Sequence, residues 1–169
     1  TAAMSGDTYA EILGAHIEGP YFSPLQCGAQ NPKYIKNPDP DEYKELIRIG
    51  NGIIKKWSFA LELDGSVEFC KTLIQNGIIP SVGHTNALYS DMERIYDAGC
   101  RTATHMYSCM SSITRENGMR RLGVIESIYL LDGITAEIIA DGMHLPPEFL
   151  RLIVKHLGAD NLCLVSDSM

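Results

Sequence analysis

Residues 78–106, IIPSVGHTNALYSDMERIYDAGCRTATHM, decide the fold. The stretch opens on an apolar strand candidate, Ile78–Gly83, that runs straight into His84. An amphipathic segment, Asn86–Ala98, follows and stops at Gly99, the residue type expected just past a helix's last turn. A second strand candidate, Arg101–Met106, then delivers His105. A strand, a helix and another strand in this order form a parallel unit, because a helix is the usual crossover between parallel neighbours.

The same alternation extends in both directions. Upstream lie strand candidates Tyr9–Ile17 and Trp57–Leu63, a helix over Asp41–Ile49 started by Asp39-Pro40, and a helix over Ser66–Gln75 that ends before Asn76-Gly77. Downstream, past a segment read as loop or helix, lie strands Ile134–Ala140 and Asn161–Ser166 around a helix over Pro146–His156 that ends before Gly158. The strands read as short apolar runs, as parallel strands covered on both faces do. This predicts an α/β domain of about six parallel strands with intervening helices.

A doubly wound sheet and a (β/α)8 barrel both fit that order, and the polar residues separate them. His16, Glu18, Glu62, His84, His105, His144 and Asp167 each fall at or just beyond a strand's C-terminal end. An open sheet gathers its ligands at one crevice, whereas a TIM barrel builds its site from loops at the ends of all its strands. The reading is therefore a TIM-type barrel. It is an incomplete one, since 169 residues compare with about 250 for the usual fold. The chain shows no internal repeat, low-complexity tract or linker.

Composition narrows the function. The chain is 45% hydrophobic and has no apolar run near the ~18 residues that span a bilayer. A net charge of −7 argues against a nucleic-acid partner, while a few local cations still suffice for one phosphate. Five cysteines (Cys27, Cys70, Cys100, Cys109 and Cys163), an odd number with no CxxC pair, suit reduced thiols and a cytoplasmic protein.

The chemistry starts at His16-Ile17-Glu18-Gly19-Pro20. Residues two apart on a strand share a face, so His16 and Glu18 both point to the mouth, and Gly19-Pro20 ends the strand with Glu18 on the rim. Taken alone, Glu18 is a ligand, a base or a simple acceptor, and a lone histidine at a strand end is as readily a cap. Glu18, His84 and His105 together make a carboxylate and two imidazoles at strand ends, the ligand types of zinc or iron. Three protein ligands leave a position for water. Asp167, at the end of the last strand candidate, is then a natural general base. Glu62 reads as a structural acceptor, His16 as packing beside Glu18, and His156 as a favourable charge at a helix end.

Six segments in order resemble N-acetylglucosamine-6-phosphate deacetylases: His16-Ile17-Glu18-Gly19-Pro20-Tyr21, Gly28-Ala29-Gln30-Asn31-Pro32, Gly83-His84-Thr85, Thr104-His105-Met106-Tyr107, Ala140-Asp141-Gly142-Met143-His144 and Ser166-Asp167. The resemblance implies a metal-dependent amidohydrolase that removes acetate from a sugar phosphate. It implies metal ligands Glu18, His84 and His105, one or two divalent ions, and Asp167 as the acid/base. It implies substrate contacts from Ala29, Gln30, Ser108, Cys109 and His144, and from Arg115 across a homodimer interface. Ser108-Cys109 departs from the family's usual Asn-Ala, and Asn117 stands where proline is usual. The resemblance also implies that the family's small β domain and first barrel strand precede residue 1 and that its last elements follow Met169. Two other readings stay open: a different amidohydrolase-type hydrolase or deaminase, and an inactive sugar-phosphate-binding fragment.

Overall fold

The computed structural model describes residues 11–168. Its strands are β1 (Ala15–Glu18), β2 (Ile54–Phe59), β3 (Ile79–Val82), β4 (Thr102–Ala103), β5 (Thr114–Glu116), β6 (Met119–Arg121), β7 (Thr135–Ile139) and β8 (Leu162–Val165). Its helices are α1 (Pro40–Gly50), α2 (Ser66–Gln75), α3 (Tyr89–Asp97), α4 (Val124–Leu130) and α5 (Pro147–Leu157). Six strands form one parallel sheet in the order β1-β2-β3-β4-β7-β8. Each strand of this sheet adds beside the one before it. A doubly wound sheet would reverse direction at a switch point, so the steady progression is that of a barrel, here an incomplete TIM-type barrel curled from six strands.

Sequence chemistry accounts for the elements. Asp39 caps α1 by accepting from the backbone N–H groups of Asp41 and Glu42, Pro40 takes the first turn, and Asn51 closes it in the left-handed conformation. Trp57 and Phe59 of β2 face α2, where Phe69 sits at the centre of an aromatic cluster with ring centroids 4.8–5.2 Å from Tyr21, Tyr43, Trp57 and Phe59. The alternate positions of the same strands carry polar groups on the inner face. There His16 Nε2 lies 2.6 Å from Ser58 Oγ, and the hydroxyls of Ser58 and Ser81 each lie 2.6 Å from that of Thr104. Below them Lys56 and Glu137 form an ion pair.

Several boundaries depart from expectation. β1 starts at Ala15; Tyr9 and Ala10 of the expected strand lie outside the described residues, and residues 11–14 take no strand pairing. β2 runs Ile54–Phe59, starting three residues before the expected Trp57, and its polar Lys56 turns inward to Glu137. β4 shrinks to two residues because His105 takes φ 29° and leaves the ladder. The segment read as loop or helix before Ile134 holds the β5–β6 hairpin and α4. Its turn is Asn117-Gly118 with φ 49° and 82°, and Asn-Gly between strands is the sequence mark of such a hairpin. No helix among the described residues is long and apolar enough to cross a membrane.

Candidate metal centre

Three strand ends converge on one point. β1 delivers Glu18, and Gly19 behind it is held by Trp57, whose Nε1–H donates to the Gly19 carbonyl at 2.8 Å. β3 runs into His84 and β4 into His105, with φ of 49° and 29°. Asp167 after β8 has φ 46°. Non-glycine residues seldom adopt the left-handed region and cluster at functional sites when they do. Three of the seven such residues among the described residues stand at the ends of the strands that build this site.

Glu18 Oε1 lies 2.8 Å from His84 Nε2 and 2.9 Å from His105 Nε2, and the two Nε2 atoms are 3.2 Å apart. Both imidazoles are buried and Glu18 is partly so. His84 Nδ1 is 2.9 Å from the Gln26 carbonyl, which only accepts, so Nδ1 carries the proton. A neutral His84 then aims its Nε2 lone pair at a carboxylate oxygen. Two acceptors facing each other at 2.8 Å require a cation between them, a proton or a metal ion. Ligands at ~2.0–2.1 Å around a tetrahedral zinc lie roughly 3.3 Å from one another, so expansion by a few tenths of an ångström admits an ion.

The surroundings support that geometry. The Phe22 ring stacks on His84 at 4.1 Å and 18°, and the Gln26 carbonyl fixes the tautomer, as outer groups do around metal-binding histidines. His105 Nδ1 is buried without a partner among the described residues. Interaction with His105 first and next with His84, when a proton is shared on the His84 Nε2, holds the Glu18 carboxyl well below the usual carboxylate range. Burial opposes the charged form of His105, but the hydrogen bond and charge of Glu18, with the charge of Asp167 added, outweigh it and leave its pKa raised.

The three groups line a cavity of about 290 Å³. Ala29 and Gln30 from the β1–α1 loop, Ser108 and Cys109 after β4, His144 after β7, and Asp167 line it with them. Gly28 (φ 57°) lets the chain approach closely, because a Cβ there would stand 2.7 Å from Cys109 Sγ and 3.2 Å from His84 Cε1. Arg115 is not brought in; it sits exposed on the hairpin, where its Nε donates to the Gly118 carbonyl at 3.2 Å. Glu62 accepts from the Thr85 hydroxyl and the Asn86 backbone N–H, a structural task. Sequence reasoning passed over Ile139, an inward position at the end of β7, and Asp141, whose spacing of three from His144 was the available signal.

Fold and site together define the class: an incomplete TIM-type barrel that gathers a Glu-His-His cluster, an acid and a cavity at the C-terminal ends of its strands. The sequence adds the particular kinship. Over 95% of its length the chain is similar to N-acetylglucosamine-6-phosphate deacetylases of Bacillus subtilis (strain 168), at 36% identity, and Lysinibacillus sphaericus, at 33%. Among solved structures it is similar to a mutant of the Mycobacterium smegmatis deacetylase in complex with N-acetyl-D-glucosamine-6-phosphate, with TM-score 0.86 and 33% identity over 92% of this chain and 40% of that one. The chain spans about 40% of the length of the curated relatives it matches. No family model matches it. The resemblance carried by the six motifs is thus borne out across nearly the whole chain.

Proposed function

We propose that the protein to which this chain belongs hydrolyses the acetamide of N-acetylglucosamine 6-phosphate, releasing acetate and glucosamine 6-phosphate, as a step of amino-sugar catabolism. One observation carries the reading: three convergent ligand atoms share a cavity with one carboxylate, Asp167, in a chain similar to deacetylases throughout. The chain would be part of the barrel domain, with the family's small β domain, first strand and last elements contributed outside it. Its partial coverage of the relatives supports that assignment.

Glu18, His84 and His105 would hold a divalent ion, zinc or iron by ligand type. When bound, such an ion acidifies water and polarises a carbonyl. Asp167 accepts the proton of the attacking water and then delivers it to the nitrogen as the C–N bond breaks. Gln30 and the Ala29 backbone hold the acetyl end, and His144 binds the sugar. Ser108 and Cys109 meet the phosphate end through backbone N–H groups. Arg115, carried on an exposed hairpin, reaches the phosphate of a second subunit, and its planar fork suits an oxyanion. Five free thiols are in keeping with a cytoplasmic setting.

The test is Asp167→Asn in the full-length enzyme. Metal content stays at the wild-type level and acetate release falls by roughly 10²–10⁴-fold. Near-normal acetate release would overturn the assignment, and ammonia release in place of acetate would point to a deaminase.

A further inference from the structure

The turn after β7 holds a second carboxylate–imidazole pair, separate from the Glu18 cluster. Asp141 Oδ1 accepts from the backbone N–H of Met143 at 2.8 Å and of His144 at 2.9 Å, while Oδ2 lies 2.8 Å from His144 Nδ1. Gly142 takes φ 78° to let the chain fold back over the carboxylate. These bonds, the His144 backbone N–H foremost, bring the Asp141 pKa down to about 2. The carboxylate is therefore ionised at neutral pH and only accepts, so the proton shared with His144 belongs to Nδ1. In the neutral ring this leaves a lone pair on Nε2. His144 lines the cavity, so the state of its ring matters to whatever binds there.

We infer that Asp141 is a positioning residue that fixes the tautomer of His144 and thereby makes the cavity select a ligand that brings a hydroxyl donor to Nε2. The inference rests on reading this cavity as a sugar-phosphate site. A histidine on an exposed turn otherwise rotates freely and offers either a donor or an acceptor. Here the backbone bonds set the carboxylate, the carboxylate sets the ring, and the ring presents an acceptor. A polyhydroxylated ligand matches that acceptor, and a ligand with only acceptors at that point leaves two lone pairs opposed.

Asp141→Asn separates tautomer from structure. The amide oxygen still accepts from both backbone N–H groups, but its NH₂ donates to Nδ1 and moves the ring proton to Nε2. Long-range ¹H–¹⁵N spectra of the ligand-free protein are expected to show His144 protonated on Nδ1 in the wild type and on Nε2 in D141N. The Kd for N-acetylglucosamine 6-phosphate is expected to rise roughly 10- to 100-fold in D141N, with kcat affected less, and D141E to restore both readouts in part. Single deoxy and deoxyfluoro analogues probe the same contact in the wild type, without relying on a variant. Removal of one particular hydroxyl should lose affinity, and fluorine, which cannot donate, should not restore it. An unchanged tautomer in D141N, a flipped tautomer with unchanged Kd, or equal affinity for all the analogues overturns the inference. A wild-type protein that binds the sugar phosphate with the Nδ1–H tautomer but releases no acetate sinks the deacetylase reading and leaves the Asp141 assignment standing.

Discussion

His84 and His105 present their Nε2 atoms 3.2 Å apart, each within 2.9 Å of the same Glu18 oxygen. Three ligand atoms this close cannot all be satisfied by one another. A bound ion resolves the conflict, so His105→Ala should lower zinc affinity by 100-fold or more. Replacing an outer-shell group around a metal costs about 10–100-fold, and a direct ligand should cost at least the upper end. Equilibrium dialysis with metal analysis reads this directly, and unchanged zinc content would remove the site.

Without metal, the same groups make stability depend on pH. Glu18 has a folded pKa below its ordinary 4.5, so its contribution is fully present above pH 4.5 and is lost as pH falls toward the folded value. His105 is raised above 6.5, so its contribution is fully present below pH 6.5 and is lost as pH rises through the folded value. Both are complete only between pH 4.5 and 6.5. Urea unfolding in chelator should find Glu18→Gln most destabilising in that window, and a penalty independent of pH counts against the coupling.

Trp57 connects the hydrophobic core to the centre. It is fully buried, stacks on Tyr21 at 5.9 Å, and its indole N–H holds the Gly19 carbonyl behind Glu18. Trp57→Phe keeps most of the apolar surface but strands that carbonyl, which costs about 1–3 kcal/mol. Chemical denaturation should show this loss together with weaker zinc binding, because the end of β1 is no longer pinned.

Lys56 and Glu137 pair on the inner face with side chains only 12% and 14% exposed. Lys56→Met alone leaves Glu137 without its partner, and breaking a buried pair costs about 3–5 kcal/mol. The double change Lys56→Met, Glu137→Leu should recover most of that loss, since apolar replacement of both partners is often neutral. Equal destabilisation in the single and double variants would show that the pair is not coupled.

Gly28 and Cys109 are matched in size. Gly28→Ala brings a methyl group to 2.7 Å from Cys109 Sγ and should weaken zinc and sugar-phosphate binding together. Cys109→Ala in the same chain removes the sulfur and should restore part of the affinity. Additive losses in the double-mutant cycle would place the cost in the Gly28 backbone, at φ 57°, rather than in the contact.

Much of this was legible along the chain. Apolar runs punctuated by Gly99, Gly158 and Asn76-Gly77 marked the strand–helix alternation, because turn and cap chemistry is local. The chemical groups stood out only in combination, as a carboxylate, two histidines and an aspartate each at the end of a different strand candidate. The β5–β6 hairpin had a local signal in Asn117-Gly118 that was passed over among polar neighbours. The inward turn of Lys56 had none, since its partner lies 81 residues away.

By itself, then, the sequence determined the parallel α/β order, the ligand types at strand ends and the kinship with the deacetylases, all of which depend on residue identity and short spacing. Only the tertiary structure decided that Glu18, His84 and His105 meet on one oxygen, that Gln26 and Phe22 contact His84, that Asp141 pairs with His144, and that Arg115 stays outside the cavity of its own chain. The reason is physical: sheet curl and the left-handed turns after β3 and β4 bring together side chains 66 and 87 residues from Glu18, and no local preference encodes a distance across a barrel mouth.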